Sequence, residues 1–267
     1  MSNFLPARLR TMRKIFEQEK LKRQQEAEIA RANIDNPYQR ACNQMVDFYR
    51  KYEDRFTEYF SEPREPSERK EFIKEIYGLL NYTAPTALPQ HHQSDMTLYR
   101  GLSADDTQDI YQYTNDFSTG DVVFGKKAQL HGIGIYMTTN ENVALKYATY
   151  GGPCGSILRC EPIENIKLAN SEQLMADKEE VLKLMISQNQ DDRGVLMYSN
   201  FLSDNGVFAS IAGYDAINIP EKDYVLILNR GSIAVDDISY YKDGQQYTAE
   251  EFEEQFLQEE IEFTHTK

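Results

Sequence analysis

Apolar positions keep one spacing through the first third of the chain and another beyond it. Leu9, Met12, Ile15 and Phe16 form one stripe in a stretch without Gly or Pro that turns almost wholly polar after Leu21, which predicts a helix over residues 7–34. Asn36-Pro37 opens a second helix that runs to about Phe60. Its positions Met45, Val46, Phe48, Tyr49, Tyr52, Phe56, Tyr59 and Phe60 give a wide apolar face. Pro63 and Pro66 break the pattern, and a third helix is expected from Ser67 to near Tyr82. Ala84 to Ser94, with Pro85 and Pro89, reads as a linker. Residues 1–95 are therefore expected to be a helical module.

Short β-type runs then alternate with helical ones. Strands are expected at Thr97–Arg100, at Gly134–Thr138 after a Gly-rich turn, and at Gly155–Cys160 and Ile163–Leu168. Further strands are expected at Ala216–Ile219, Tyr224–Leu228 and Ile233–Val235. Helices are expected at Ala104–Asn115, at Asn140–Tyr147 with Asn140 near the N-cap, and at Ser171–Ser187. Residues 188–206 read as a polar, irregular insertion, and Ala249–Phe263 as an acidic amphipathic helix capped by Thr248. The expected organisation is an α+β domain over 96–247, preceded by the helical module and followed by an acidic C-terminal helix over 248–267.

Charge changes the picture of partners. The chain has 267 residues and a net charge of −14, and residues 1–95 are close to neutral, so the acidity falls almost entirely on the rest. Such a domain does not read as a general nucleic-acid binder, because phosphate contacts need Lys and Arg. Residues 1–31 are basic on balance, which suits a chaperone, antitoxin or immunity partner, or simply a solvated helix. No apolar run approaches a membrane span, and the start of the chain lacks the apolar core of a secretory signal. Cys42, Cys154 and Cys160 are too few and too scattered for a disulfide framework or a metal site, so no metal is expected. A cytoplasmic protein is the expectation, with delivery into another cell left open.

Three segments stand out for their chemistry. They are Leu98-Tyr99-Arg100-Gly101; Gly132-Ile133-Gly134-Ile135-Tyr136-Met137-Thr138 with Tyr147 eleven residues after Tyr136; and Glu221-Lys222-Asp223-Tyr224-Val225-Leu226-Ile227. Taken singly each has a plain reading: a surface arginine, a glycine turn lacking the third Gly of a dinucleotide fingerprint, packing tyrosines in a chain with 18 of them, and a solvated strand end. His91 and His92 sit in the linker, and His131 precedes the glycine turn.

In their order and spacing these segments resemble the ADP-ribosyltransferase superfamily, in its diphtheria-toxin and poly-ADP-ribose-polymerase-like branch. The resemblance covers residues 96–242. It implies a mixed, largely antiparallel two-sheet core and NAD as the substrate that donates ADP-ribose. It also implies NAD-binding roles for Arg100, Gly101, Gly134, Tyr136, Thr138 and Tyr147, and catalytic roles for Asp223, Glu221, Arg100 and Tyr136. Arg100 stands where that branch has His, and Asp223 where most members have Glu. Glu221-Lys222-Asp223 is similar to the Glu-x-Glu of arginine-modifying toxins. Ala144 stands where the branch often has a Ser, a contact that Thr138 or Thr139 could replace.

The chemistry fits those residue types. Breaking the bond between ribose and a cationic nicotinamide needs a held, stacked ring and a carboxylate near the positive charge that grows on the ribose. An arginine fork matches phosphate geometry. Asp223 is the expected carboxylate, with Asp215 as its rival. The expected activity is mono-ADP-ribosyl transfer by a toxin or effector, with a protein as acceptor; RNA or DNA as acceptor, or an inactive binding module of the same fold, are the alternatives. The reading requires Arg100, Tyr136 and Asp223 to converge on one cleft, and Arg100 and Tyr136 on opposite faces would sink it as a whole.

Overall fold

A computed structural model describes residues 36–62, 64–80, 86–88, 96–120 and 132–257. The helix expected over 7–34, most of the linker, all three of the histidines noted above and the last residues of the C-terminal helix lie outside them.

The second expected helix forms as two. α1 (Pro37–Lys51) starts at Asn36, whose side chain accepts the Tyr38 and Gln39 N–H groups, with Pro37 in the first turn. Tyr52 leaves helical geometry at φ −121° and ψ 28°, and α2 (Glu53–Ser61) begins behind it. α3 (Pro66–Leu79) is opened by a capping box between Glu65 and Glu68.

Next come β1 (Leu98–Ala104), α4 (Thr107–Ser118), β2 (Ile135–Thr138), α5 (Glu141–Tyr150), β3 (Cys154–Pro162), β4 (Leu168–Asn170) and α6 (Ser171–Gln188). α7 (Arg193–Phe201), α8 (Asn205–Ile211), β5 (Ala216–Ile219), β6 (Tyr224–Ile227), β7 (Ile233–Lys242), β8 (Gln245–Thr248) and α9 (Ala249–Phe256) complete the elements of the described residues. The protein is thus mixed α and β. The expected irregular insertion is corrected: Asp192 caps α7, and Val195, Tyr198 and Phe201 lie buried along one side of it. Their three-residue spacing was legible, and the polar residues between them masked it. Ile163–Leu168 is mostly not strand; β4 begins only at Leu168.

All eight strands belong to one sheet, in the order β4-β5-β6-β2-β1-β3-β7-β8. Every neighbour pair is antiparallel except β4–β5. The sheet has a seam. β1 pairs with β3 along its whole length, and β2 with β6 along its whole length, whereas β1 and β2 share only Tyr99↔Thr138. One sheet is thus described where two are expected from sequence, and its halves of four strands meet at one backbone register pair.

Strand parity assigns the faces. Leu98, Ile135, Met137, Leu158, Cys160, Val225 and Ile227 point to one face, where they pack with Phe117 of α4. Leu226 and Ile217 point to the other, into a larger cluster that takes side chains from α1, α2, α3, α6, α7 and α8. Phe56 of α2 meets Phe72 of α3 and Tyr198 and Phe201 of α7, with centroids 4.8–5.7 Å apart. Described residues of 36–88 thus pack into one cluster with residues beyond 96.

Candidate functional site

The Gly-x-Gly turn is held by its neighbours rather than shaped around a ligand. Gly132 has φ +110°, and a Cβ there would stand 2.4 Å from the Gly206 nitrogen. Asp204, the N-cap of α8, accepts the Ile133 N–H at 2.9 Å and the Val207 N–H at 3.1 Å. Tyr77 donates to the Ile133 carbonyl. Gly134 is pressed against Leu226, where a Cβ would approach Cδ1 to 2.8 Å. Both glycines are thereby explained by packing.

α5 brings Tyr147 to the seam. It lies on β1 and β3 through small residues: a Cβ on Gly101 would stand 2.0 Å from the Ala144 carbonyl oxygen, and one on Gly155 would stand 2.0 Å from that of Ala148. Ala144 is fully buried by this contact. Position 144 is therefore filled by the seating of α5 on β1.

Gly101, Tyr136, Thr138 and Tyr224 share one face, since Tyr99 is opposite Thr138 in the register, and Thr138 is opposite Tyr224. Tyr136 meets Tyr224 edge-on, with centroids 6.2 Å apart at 84°. The Tyr224 hydroxyl is 3.0 Å from that of Tyr147, which is 48% exposed. The Tyr136 hydroxyl donates to the Gly132 carbonyl at 3.0 Å, and Thr138 Oγ1 accepts the Asn140 N–H. The result is a row of three tyrosines, two on the β2/β6 half and one reaching over from α5. The hydrogen bond to Tyr147, then burial, then its tyrosine neighbours push the Tyr224 phenol up to about 12. Tyr224 is not among the residues to which the resemblance gives a role, although it directly follows Asp223 in the motif.

Glu221 and Asp223 lie in the turn that enters β6 just before Tyr224, the middle ring of the row. Pro220–Lys222 forms a turn of 3-10 helix, and Asp223 ends it in the left-handed region at φ 55°. The Asp223 carbonyl accepts the Thr139 N–H at 3.2 Å, which fixes the turn beside β2. Both carboxylates are exposed. Asp215 differs. It is buried, its Oδ2 accepts the Lys167 N–H and its Oδ1 the Asn229 amide, both at 2.9 Å. Its carboxylate ties β5 to the segments entering β4 and leaving β6.

Arg100 is the correction. It alternates with Gly101 and so points to the face opposite Tyr136. It is buried, with its guanidinium carbon 4.9 Å from the centre of the Phe117 ring, and burial lowers its pKa to about 10. Arg230 covers the same ring at 4.5 Å and donates to the Phe117 carbonyl. The single bridge between β1 and β2 sets this parity, which a sequence pattern does not contain. The expected convergence of Arg100, Tyr136 and Asp223 is therefore not met: Gly101, Tyr136 and Thr138 share the face of Tyr224, which directly follows the Glu221–Asp223 turn, and Arg100 points to the other face.

Among the described residues no group of three or more His, Cys, Asp and Glu side chains could hold a metal ion, and no helix is long and apolar enough to cross a membrane. No family model, no curated protein and no solved structure matches the chain.

Proposed function

We propose, although Arg100 lies on the face opposite Tyr136 and so fails the convergence that this reading required, that the chain is a mono-ADP-ribosyltransferase of the toxin or effector type, taking NAD as substrate and a protein as acceptor. The observation that carries this reading is the row Tyr136–Tyr224–Tyr147 at the seam of the sheet, with exposed carboxylates in the turn just before Tyr224. An aromatic face beside a carboxylate is what a cationic, flat leaving group on a ribose needs. In the reaction the ribose C1′–nitrogen bond breaks with its electron pair passing to nicotinamide, and the acceptor atom bonds to C1′ and loses its proton. Tyr136 and Tyr147 would hold the ring, the Gly101 backbone and Thr138 would meet its amide, and Asp223 would face the positive charge on the ribose. Glu221 would orient the acceptor. Gly134 is assigned to packing rather than to NAD, and Arg100 has no role here, so the phosphates rely on other groups.

A second reading has one observation in its favour. With Arg100 turned away from the tyrosines, the fold could serve as an inactive binding module. Incubating the protein with radiolabelled NAD, with and without a protein lysate, separates the two. Release of nicotinamide and label on protein support the transferase; neither, even at millimolar NAD, supports the binding module. Label in nucleic acid instead would support RNA or DNA as acceptor.

A further inference from the structure

Tyr224 lies outside the residues that the resemblance assigns to NAD, yet it is the central ring of the three. Its ring is half-buried against the larger core cluster, which fixes its place on β6. Tyr147 is in the opposite situation. It stands half-exposed on α5, and α5 is seated on the other half of the sheet through Gly101 and Gly155. A tyrosine on an exposed helix surface exchanges rotamers freely unless something holds it. Here the holding contact is the 3.0 Å hydroxyl pair with Tyr224, across 77 residues of sequence. Backbone pairing between β1 and β2 crosses the seam only at Tyr99↔Thr138, so this side-chain bond is a second tie between the halves.

We infer that Tyr224 is a positioning residue for the nicotinamide site: its hydroxyl sets the Tyr147 ring from across the seam so that this ring can cover a planar ligand lying against Tyr136. The inference rests on the proposed NAD-binding reading. A preset wall loses less rotamer freedom when the ligand arrives, and so the hydroxyl contributes to affinity without touching the reacting atoms. Either phenol can donate in the pair, so removing one oxygen from either side abolishes the same bond.

Tyr224→Phe, Tyr147→Phe and the double variant test it, with NAD as the probe in calorimetric titration. Each single variant is expected to bind NAD about 3–10-fold more weakly, the scale of one net hydrogen bond. The double variant is expected to bind no more weakly than either single one, because both remove one shared bond. The Michaelis constant for NAD should rise more than turnover falls, and thermal unfolding should stay at the wild-type temperature, which a merely structural role would not give. An alkaline ultraviolet titration tests the pair without NAD: Tyr198, Tyr214 and Tyr240 also titrate late, so Tyr224 is read as the difference between each protein and its Tyr224→Phe counterpart, and that difference should move to lower pH when Tyr147 is replaced by Phe. Wild-type affinity in Tyr224→Phe, or fully additive losses in the double variant, would overturn the inference alone. Wild-type protein that does not bind NAD would overturn the proposed function and the inference together, and the alkaline titration would still report whether the pair forms.

Discussion

Gly101 and Ala144 touch so closely that the hydrogen on the glycine is all the contact leaves room for: a Cβ would stand 2.0 Å from the Ala144 carbonyl oxygen and 2.9 Å from the Ala148 nitrogen. Both obstacles are backbone, so the helix rather than a side chain must move. Gly101→Ala is therefore expected to push α5 off β1 and to lower stability by about 1–3 kcal/mol, the usual range for overpacking. Urea unfolding measures the loss. NAD affinity should fall with it, because Tyr147 rides on α5. Wild-type stability and affinity in Gly101→Ala would show that the helix is not seated as described.

The two carboxylate candidates make opposite predictions. Asp215→Ala leaves the Lys167 N–H and the Asn229 amide without their buried acceptor, so stability should drop by about 2 kcal/mol or more, at roughly 1–3 kcal/mol per unsatisfied group. Asp223→Asn should leave unfolding unchanged and cut NAD turnover by about 10²–10³, the scale of losing one electrostatic stabiliser. Glu221→Gln should impair transfer to the acceptor more than NAD hydrolysis. A fully active Asp223→Asn with intact Glu221 would remove Asp223 from the mechanism.

Asp204 joins the glycine turn to a helix start through two N–H groups. Asp204→Ala should cost about 1–2 kcal/mol, the usual worth of an N-cap. It should also loosen Gly132, whose carbonyl receives the Tyr136 hydroxyl. Hydrogen exchange at Ile133 and Val207 checks this directly: faster exchange at Val207 alone would mean that the turn is held by other contacts.

Burial pushes the Cys42 and Cys160 thiols up to about 11 and raises that of Cys154 as well. Thiolate is the reactive form, so alkylation of the native protein should be slow at pH 8 and rise as pH approaches those values. Denatured protein should react at all three cysteines at pH 8. Rapid labelling of Cys160 in native protein at pH 8 would contradict its burial beside Arg230 and Arg100.

Most elements were legible because their signals are local. Asn36-Pro37, Asn140 and Thr248 announce helix starts through side-chain oxygens that reach N–H groups two or three residues on, and each cap forms as expected. α7 was hidden because Val195, Tyr198 and Phe201 look isolated until α1, α2 and α3 supply the aromatic partners that bury them.

For the site, the sequence by itself determined the order of the motifs and the eleven-residue spacing that lets one tyrosine sit on β2 and the next on α5. Alternation also determined that Arg100 and Gly101 face opposite ways, whichever face each takes. Which strands become neighbours lies beyond a local pattern, because pairing depends on contacts far apart in the chain. Only the tertiary structure decided that β2 lies between β6 and β1 with a single pair to the latter. That register sends Arg100 to the face opposite Tyr136, beneath Phe117, and lets the hydroxyl of Tyr224 meet that of Tyr147, while the pairing of β5 with β4 and β6 gives Asp215 its two buried donors from segments distant in sequence.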